Sequence, residues 1–202
     1  MDQPLRPLRA AFFQEPTIQV ARNLLGKTLI SEMGGQRVSG MIVETEAYLA
    51  DDDSACHAAK YRTARTEVMF GPAGFAYVYP IHARHCFNVV TESIGQGCAV
   101  LIRAAQPLSG MAVMGERRGL TDRRRLSTGP ACLCESFGIG RSVSGHNLTV
   151  EKTVWIADRM PGTPSLAPKK SVRIGVTSAK NKLLRFYIPN NPFVSGPKRM
   201  RT

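Results

Sequence analysis

The sequence predicts an α+β fold: a single domain built on a mostly antiparallel, curved β-sheet with short surrounding helices. Three observations carry this expectation. Runs rich in β-branched residues recur along the chain, short helical patterns fall between them, and neither an internal repeat nor a Pro-, Gly- or Ser-rich linker divides the 202 residues. That length suits one sizeable core, so the domain is taken as residues 1–202, with flexible ends at 1–12 and 197–202.

Glu15 and Pro16 suit a helix start, and Ile18, Ala21, Leu24 and Leu25 recur at helical spacing until Gly26 stops the run. Residues 27–31 and 38–46 read as a hairpin around Met33-Gly34-Gly35. In its second strand, period two places Met41, Val43, Thr45 and Ala47 on one face and Glu44, Glu46 and Tyr48 on the other. Further strands are expected over 76–79, 86–90 and 99–103. Short helices follow over 108–118 and 130–137, the latter with Pro130 as first residue and Gly138 as stop. Strands over 172–176 and 183–188 close the pattern before a polar, basic tail from Pro189.

Lysine and arginine outnumber aspartate and glutamate 27 to 15, a net charge of +12 that makes a polyanion the default partner. No apolar run approaches the roughly 20 residues of a membrane span. The N-terminal stretch lacks the pattern of a secretory signal, so a cytoplasmic location is expected, nucleoid-associated in a bacterium. The cysteines (56, 86, 98, 132 and 134) are irregularly spaced and read as buried, reduced thiols rather than a zinc or redox site.

Several side chains carry potential chemistry. Glu44 and Glu46 share a strand face that is either solvated or lines a pocket, where an ionised glutamate can take a proton from water. Asp51, Asp52 and Asp53 before His57 resemble hard-cation ligands, but consecutive acids rarely converge on one ion, and a solvated loop is the expected reading. Phe75, Tyr77 and Tyr79 alternate on one strand face, with His82, Arg84 and His85 close behind; the stripe is either core or a stacking platform for bases. Arg117, Arg118, Arg123, Arg124 and Arg125 form a basic stretch, a solvated face or a track for phosphates.

Taken in order, Val43-Glu44-Thr45-Glu46-Ala47-Tyr48-Leu49, His57, Met69-Phe70-Gly71-Pro72, Tyr77-Val78-Tyr79, Asn88, Val100-Leu101-Ile102-Arg103-Ala104, Ser127-Thr128-Gly129-Pro130, Arg173-Ile174-Gly175-Val176 and Leu184-Arg185-Phe186-Tyr187 resemble the alkyladenine (3-methyladenine) DNA glycosylase family. The matches run from about residue 24 to 195, and agreement of so many separated blocks is far more specific than any one of them. The resemblance implies a monofunctional hydrolase that flips an alkylated or deaminated purine from duplex DNA and leaves an abasic site.

By the same resemblance, Glu46 activates the attacking water and Arg103 holds the glutamate and water in place. Tyr48, His57 and Tyr79 sandwich the flipped base, Asn88 excludes guanine through its amino group, and Ile174 lies beside the water. Neither cofactor nor metal is implied, and the partner is double-stranded DNA with damaged purines, bound by a monomer. The pattern departs from the family after Tyr77-Val78-Tyr79-Pro80-Ile81: His82 stands where a tyrosine wedge is expected, and the run to Asn88 is one residue shorter. Two other classes compete, a non-catalytic damage binder and a metal-dependent nuclease built on Asp51, Asp52 and Asp53.

Overall fold

Eight strands form one antiparallel sheet in the computed structural model, which describes residues 5–150, 152–160 and 167–198. They are β1 (Thr28–Ser31), β2 (Val38–Tyr48), β3 (Ala76–Ile81), β4 (Arg84–Thr91), β5 (Cys98–Ser109), β6 (Val154–Ala157), β7 (Lys169–Ser171) and β8 (Arg185–Tyr187). The helices are α1 (Ala10–Gln14), α2 (Thr17–Asn23), α3 (Met111–Arg118) and α4 (Pro130–Phe137). The sheet order is β3-β4-β5-β2-β1-β6, with β8 joining β2 to β7, and the whole curls into a half-barrel. The α+β class and the curved antiparallel sheet are therefore as the sequence predicts.

The long strand β2 organises the sheet. One edge pairs with β5 along nearly its whole length; the other pairs first with β1 and then, from Glu44 to Glu46, with β8. Between these halves the register to β5 shifts: Ile42 opposes Ala105 and Glu44 opposes Ala104, so Val43 is extra, and Arg103 is passed over before Thr45 meets Ile102. Such bulges bend a strand and re-aim side chains. Here the expected alternation breaks: Ile42 and Ala47 enter the main core and Thr45 donates to the Ala21 carbonyl (2.7 Å), while Met41 and Val43 pack with Tyr187 and Val194.

On one side of the sheet, Ile42, Phe87, Val100 and Ile102 pack with Leu24 and Leu25 after α2 and with Leu133 and Phe137 of α4. The alternate residues of β3, β4 and β5, Tyr77, Val90 and Ala99, build a smaller cluster with Cys56 and Met69, against which Tyr48, Phe75 and Tyr79 pack. Thus the aromatic stripe is at once a minor core and a wall.

Element by element, α4 starts at Pro130 and stops at Gly138 as read from the sequence. The helix expected from 108 begins only at Met111, because residues 107–109 complete β5 and Gly110 turns the chain at φ +72°. A Cβ at Gly110 would stand 2.6 Å from the Arg37 carbonyl oxygen, so the turn needs glycine twice over. The strand expected over 172–176 is a bend flanked by the short β7; its arginine and one amide are drawn into the site instead. β6, four buried residues too short to show a period, has no counterpart in the sequence reading.

Residues 1–4 and 199–202, parts of the expected flexible ends, lie outside the described residues. From Leu5 the chain is tied down: the Trp155 indole N–H donates to the Leu5 carbonyl (3.2 Å) and Leu8 N–H to the Ile156 carbonyl (2.8 Å). The basic stretch divides. Arg117 donates to the Met33 and Ser136 carbonyls, and Arg118 pairs with Glu135, so both fasten α3 to its surroundings, whereas Arg123, Arg124 and Arg125 are exposed.

Candidate active site

Period two on the second half of β2 delivers Glu44, Glu46 and Tyr48 to the face opposite the main core, and the two glutamates are fully buried there. A solvated strand face is thereby excluded. Two buried carboxylates need partners, and neighbouring strands supply them. Arg103, at the irregularity in β5, places Nε 3.2 Å from Glu44 Oε1 and Nη1 3.2 Å from Glu46 Oε1. From β8, Arg185 donates Nε to Glu44 Oε1 at 2.6 Å, and Ser195 N–H donates to Glu44 Oε2 at 2.7 Å.

Glu46 is held differently. Its Oε1 accepts the Ile174 N–H at 2.8 Å, and its Oε2 accepts the Tyr48 hydroxyl at 2.8 Å. One oxygen is therefore fixed by a cation and an amide, while the other has, among the described residues, a single phenolic donor and keeps capacity to accept a proton from water. Burial, and next the Glu46 charge, push the Tyr48 phenol far up, so it stays a donor. For Glu44, burial works to raise the carboxyl, but Arg103, Arg185 and the Ser195 amide together hold it below its ordinary range. Burial likewise works against the Arg103 cation, and Glu46 and Glu44 outweigh it.

Tyr48 leads from this charged row into an aromatic pocket. His57 Nδ1 lies 3.0 Å from the Tyr77 hydroxyl, and its ring meets Tyr79 edge-on at 4.6 Å between centroids. Burial first, then Arg65 and Lys60, hold the His57 imidazole below its ordinary 6.5, which keeps the ring neutral at pH 7. Burial lifts Tyr77 to about 12. Asn88, buried on β4, donates its amide nitrogen to the Tyr77 carbonyl at 2.9 Å, which fixes the orientation of its oxygen. Tyr48, His57, Tyr77, Tyr79 and Asn88 line a small inner cavity of about 20 Å³; outside it lies a cleft of about 370 Å³ whose rim includes Lys60, Arg65 and Ile81.

Of the residues singled out from the sequence, the fold brings Glu46, Arg103, Tyr48, His57, Tyr79 and Asn88 together, and Ile174 joins them through its backbone. His82 stands apart. It is exposed at the two-residue turn joining β3 to β4, with φ +51°, a conformation histidine tolerates better than most side chains. The three aspartates do not converge: Asp51 is exposed, Asp52 pairs with Lys182 at 2.7 Å, and buried Asp53 takes both Arg173 terminal nitrogens at 2.6 Å. Sequence reasoning overlooked Arg173, Arg185, Ser195 and the role of Asp53. A usable signal was present, since arginines set in apolar runs such as Val172 to Val176 are seldom buried unless an acid pairs with them.

All five cysteines are free; four are buried and Cys132 is half-buried, 3.2 Å from Arg118 Nη2. Among the described residues no helix is long and apolar enough to cross a membrane.

Comparison with known proteins identifies the family. A family model described as methylpurine-DNA glycosylase matches residues 11–192. Relatives each named "Putative 3-methyladenine DNA glycosylase" include one from Rhodopirellula baltica, 43% identical over 94% of this chain and 83% of its own length. Another from Myxococcus xanthus is 47% identical over 85% of this chain and 83% of its own, and one from Chlorobaculum tepidum 41% over 95% and 91%. The chain belongs to the methylpurine-DNA glycosylase family.

Proposed function

We propose that this protein excises alkylated and deaminated purines of the 3-methyladenine type from duplex DNA by direct hydrolysis, leaving an intact strand with an abasic site. The observation that carries this reading is Glu46: a fully buried carboxylate, one oxygen clamped by Arg103 and the Ile174 amide, set behind an aromatic pocket. In that position it orients a water, accepts its proton, and stabilises the positive charge that develops on the sugar as the base departs. Arg103 holds the carboxylate. Tyr48, His57 and Tyr79 receive the flipped base, and Asn88, its amide locked on β4, opposes the exocyclic amine of guanine. His82, at the hairpin tip beside the cleft, fills the gap in the duplex.

Base extrusion has an energetic logic, because a lesion that weakens pairing or stacking leaves the helix at lower cost. N-alkylation also makes the base a better leaving group, so no covalent enzyme intermediate is required. One observation favours a second reading: Lys60 lines the outer cleft, and an amine there is the group a lyase would use to form a Schiff base. A single assay on methylated duplex DNA with chelator present separates the possibilities. Free base with unbroken strands and no borohydride-trapped adduct is expected; absence of base release under the chelator, broken strands or a trapped adduct overturns the monofunctional hydrolysis.

A further inference from the structure

The hydrolysis proposed above makes no use of Arg173 and Asp53, although both side chains are entirely buried at the site. Arg173 Nη1 and Nη2 each lie 2.6 Å from an Asp53 oxygen, and Nη1 also donates to the Ala47 carbonyl at 3.0 Å. Its Nε is buried and has no hydrogen-bond partner among the described residues. The guanidinium carbon rests 4.6 Å from the centroid of the Tyr48 ring. A buried ion pair is a poor means of simply fastening a loop, since apolar side chains of similar volume usually do so at least as well. What distinguishes this pair is where it puts charge: against the ring that, in the reading above, stacks on the extruded base.

We propose that the Arg173–Asp53 pair sets the charge preference of the pocket, discounting cationic purines relative to neutral ones. A ring attracts a cation through the negative potential of its π-face. With Arg173 already against Tyr48, a positively charged N-alkyl purine stacking on that ring meets a depleted host and a like charge beyond it. Lys60 and Arg65 on the rim of the same cleft add to the penalty. A neutral lesion base loses little by comparison. Asp53 moderates the effect by screening the guanidinium from behind, so the pair acts as a setting rather than an exclusion. The inference rests on base stacking against Tyr48.

Single-turnover release of 7-methylguanine, a cation, and hypoxanthine, a neutral base, from otherwise identical duplexes tests it through their ratio. Asp53→Asn/Arg173→Gln keeps hydrogen-bonding groups at both ends and removes both charges; the cationic-to-neutral ratio is expected to rise about threefold or more. Asp53→Asn alone leaves Arg173 unscreened and is expected to lower the ratio by a similar factor. Arg173→Lys, which retains the charge, is expected to hold the ratio of the parent. Should Asp53→Asn not fold, the doubly neutral variant decides. A ratio unchanged in that variant, whatever happens to the two rates, overturns the proposal and leaves the pair as a clamp on the loop carrying Ile174. Loss of both activities in the parent protein is a different outcome, and it would overturn the glycosylase reading itself.

Discussion

Glu44 and Glu46 stand two residues apart on one strand, both fully buried and both touching Arg103, yet the fold treats them in opposite ways. Glu44 faces the β8 side, where two arginines and the Ser195 amide occupy its oxygens. Glu46 faces the aromatic pocket, where among the described residues Oε2 has only the Tyr48 hydroxyl. A saturated carboxylate has nothing left to offer a substrate; an incompletely saturated one does. Identical side chains in one register thus become a structural anchor and a candidate general base through what the neighbouring strands bring to each.

The largest expected effect breaks this contrast most directly. Glu46→Gln should lower turnover by roughly 100-fold or more while leaving lesion binding largely intact, the range for removal of a general base. Full activity in Glu46→Gln, with turnover lost instead in a folded Glu44→Gln protein, would reverse the assignment. For Glu44→Gln the expected loss is in stability, about 3–5 kcal/mol, because Arg103 and Arg185 keep their buried charge without its anion. Urea titration of the two variants reads this difference, and equal midpoints would remove the anchor role.

Acid sharpens the same comparison. Glu44 and Asp53 both sit below their ordinary values of 4.5 and 3.8. As pH falls through that range the unfolded chain takes up protons first, so the stabilisation these groups give is complete above about 4.5 and is lost progressively at lower pH. Glu44→Gln should therefore show a shallower acid limb in stability against pH than the parent; parallel curves would contradict the depressed carboxyl. The smallest effect expected concerns the periphery. His82→Ala should reduce excision from duplex DNA on the order of tenfold and spare single strands, since a wedge matters only where there is a stack to hold open. Glu46→Gln should impair both substrates. Equal losses on the two for His82→Ala would remove the wedge.

Period-two alternation was enough to put Glu44, Glu46 and Tyr48 on one face, and the aromatic repeat Phe75, Tyr77, Tyr79 was legible for the same reason. Turn and cap chemistry likewise marked α4 between Pro130 and Gly138, because those signals are local to the residues that respond to them. The stretch over 172–176 shows the limit of such reasoning. Its β-branched composition reads as a strand, but burial of Arg173 against Asp53, 120 residues earlier in the chain, outweighs local preference and leaves a bend.

Read without coordinates, the chain yields the class of fold and the shared face of Glu44, Glu46 and Tyr48, which follow from spacing, and the family, which follows from the resemblance of its separated motifs; the predicted face of Met41, Val43, Thr45 and Ala47 fails at the bulge. It took the folded chain to show that Glu44 is saturated and Glu46 is not, that Arg117 and Arg118 fasten α3 to its surroundings, and that a backbone amide at Ile174 holds the candidate base. Each of those outcomes depends on which groups meet across the sheet. That is settled by the bulge at Val43, by the pairing of β8 with one half of β2, and by the requirement that every buried charge find its partner.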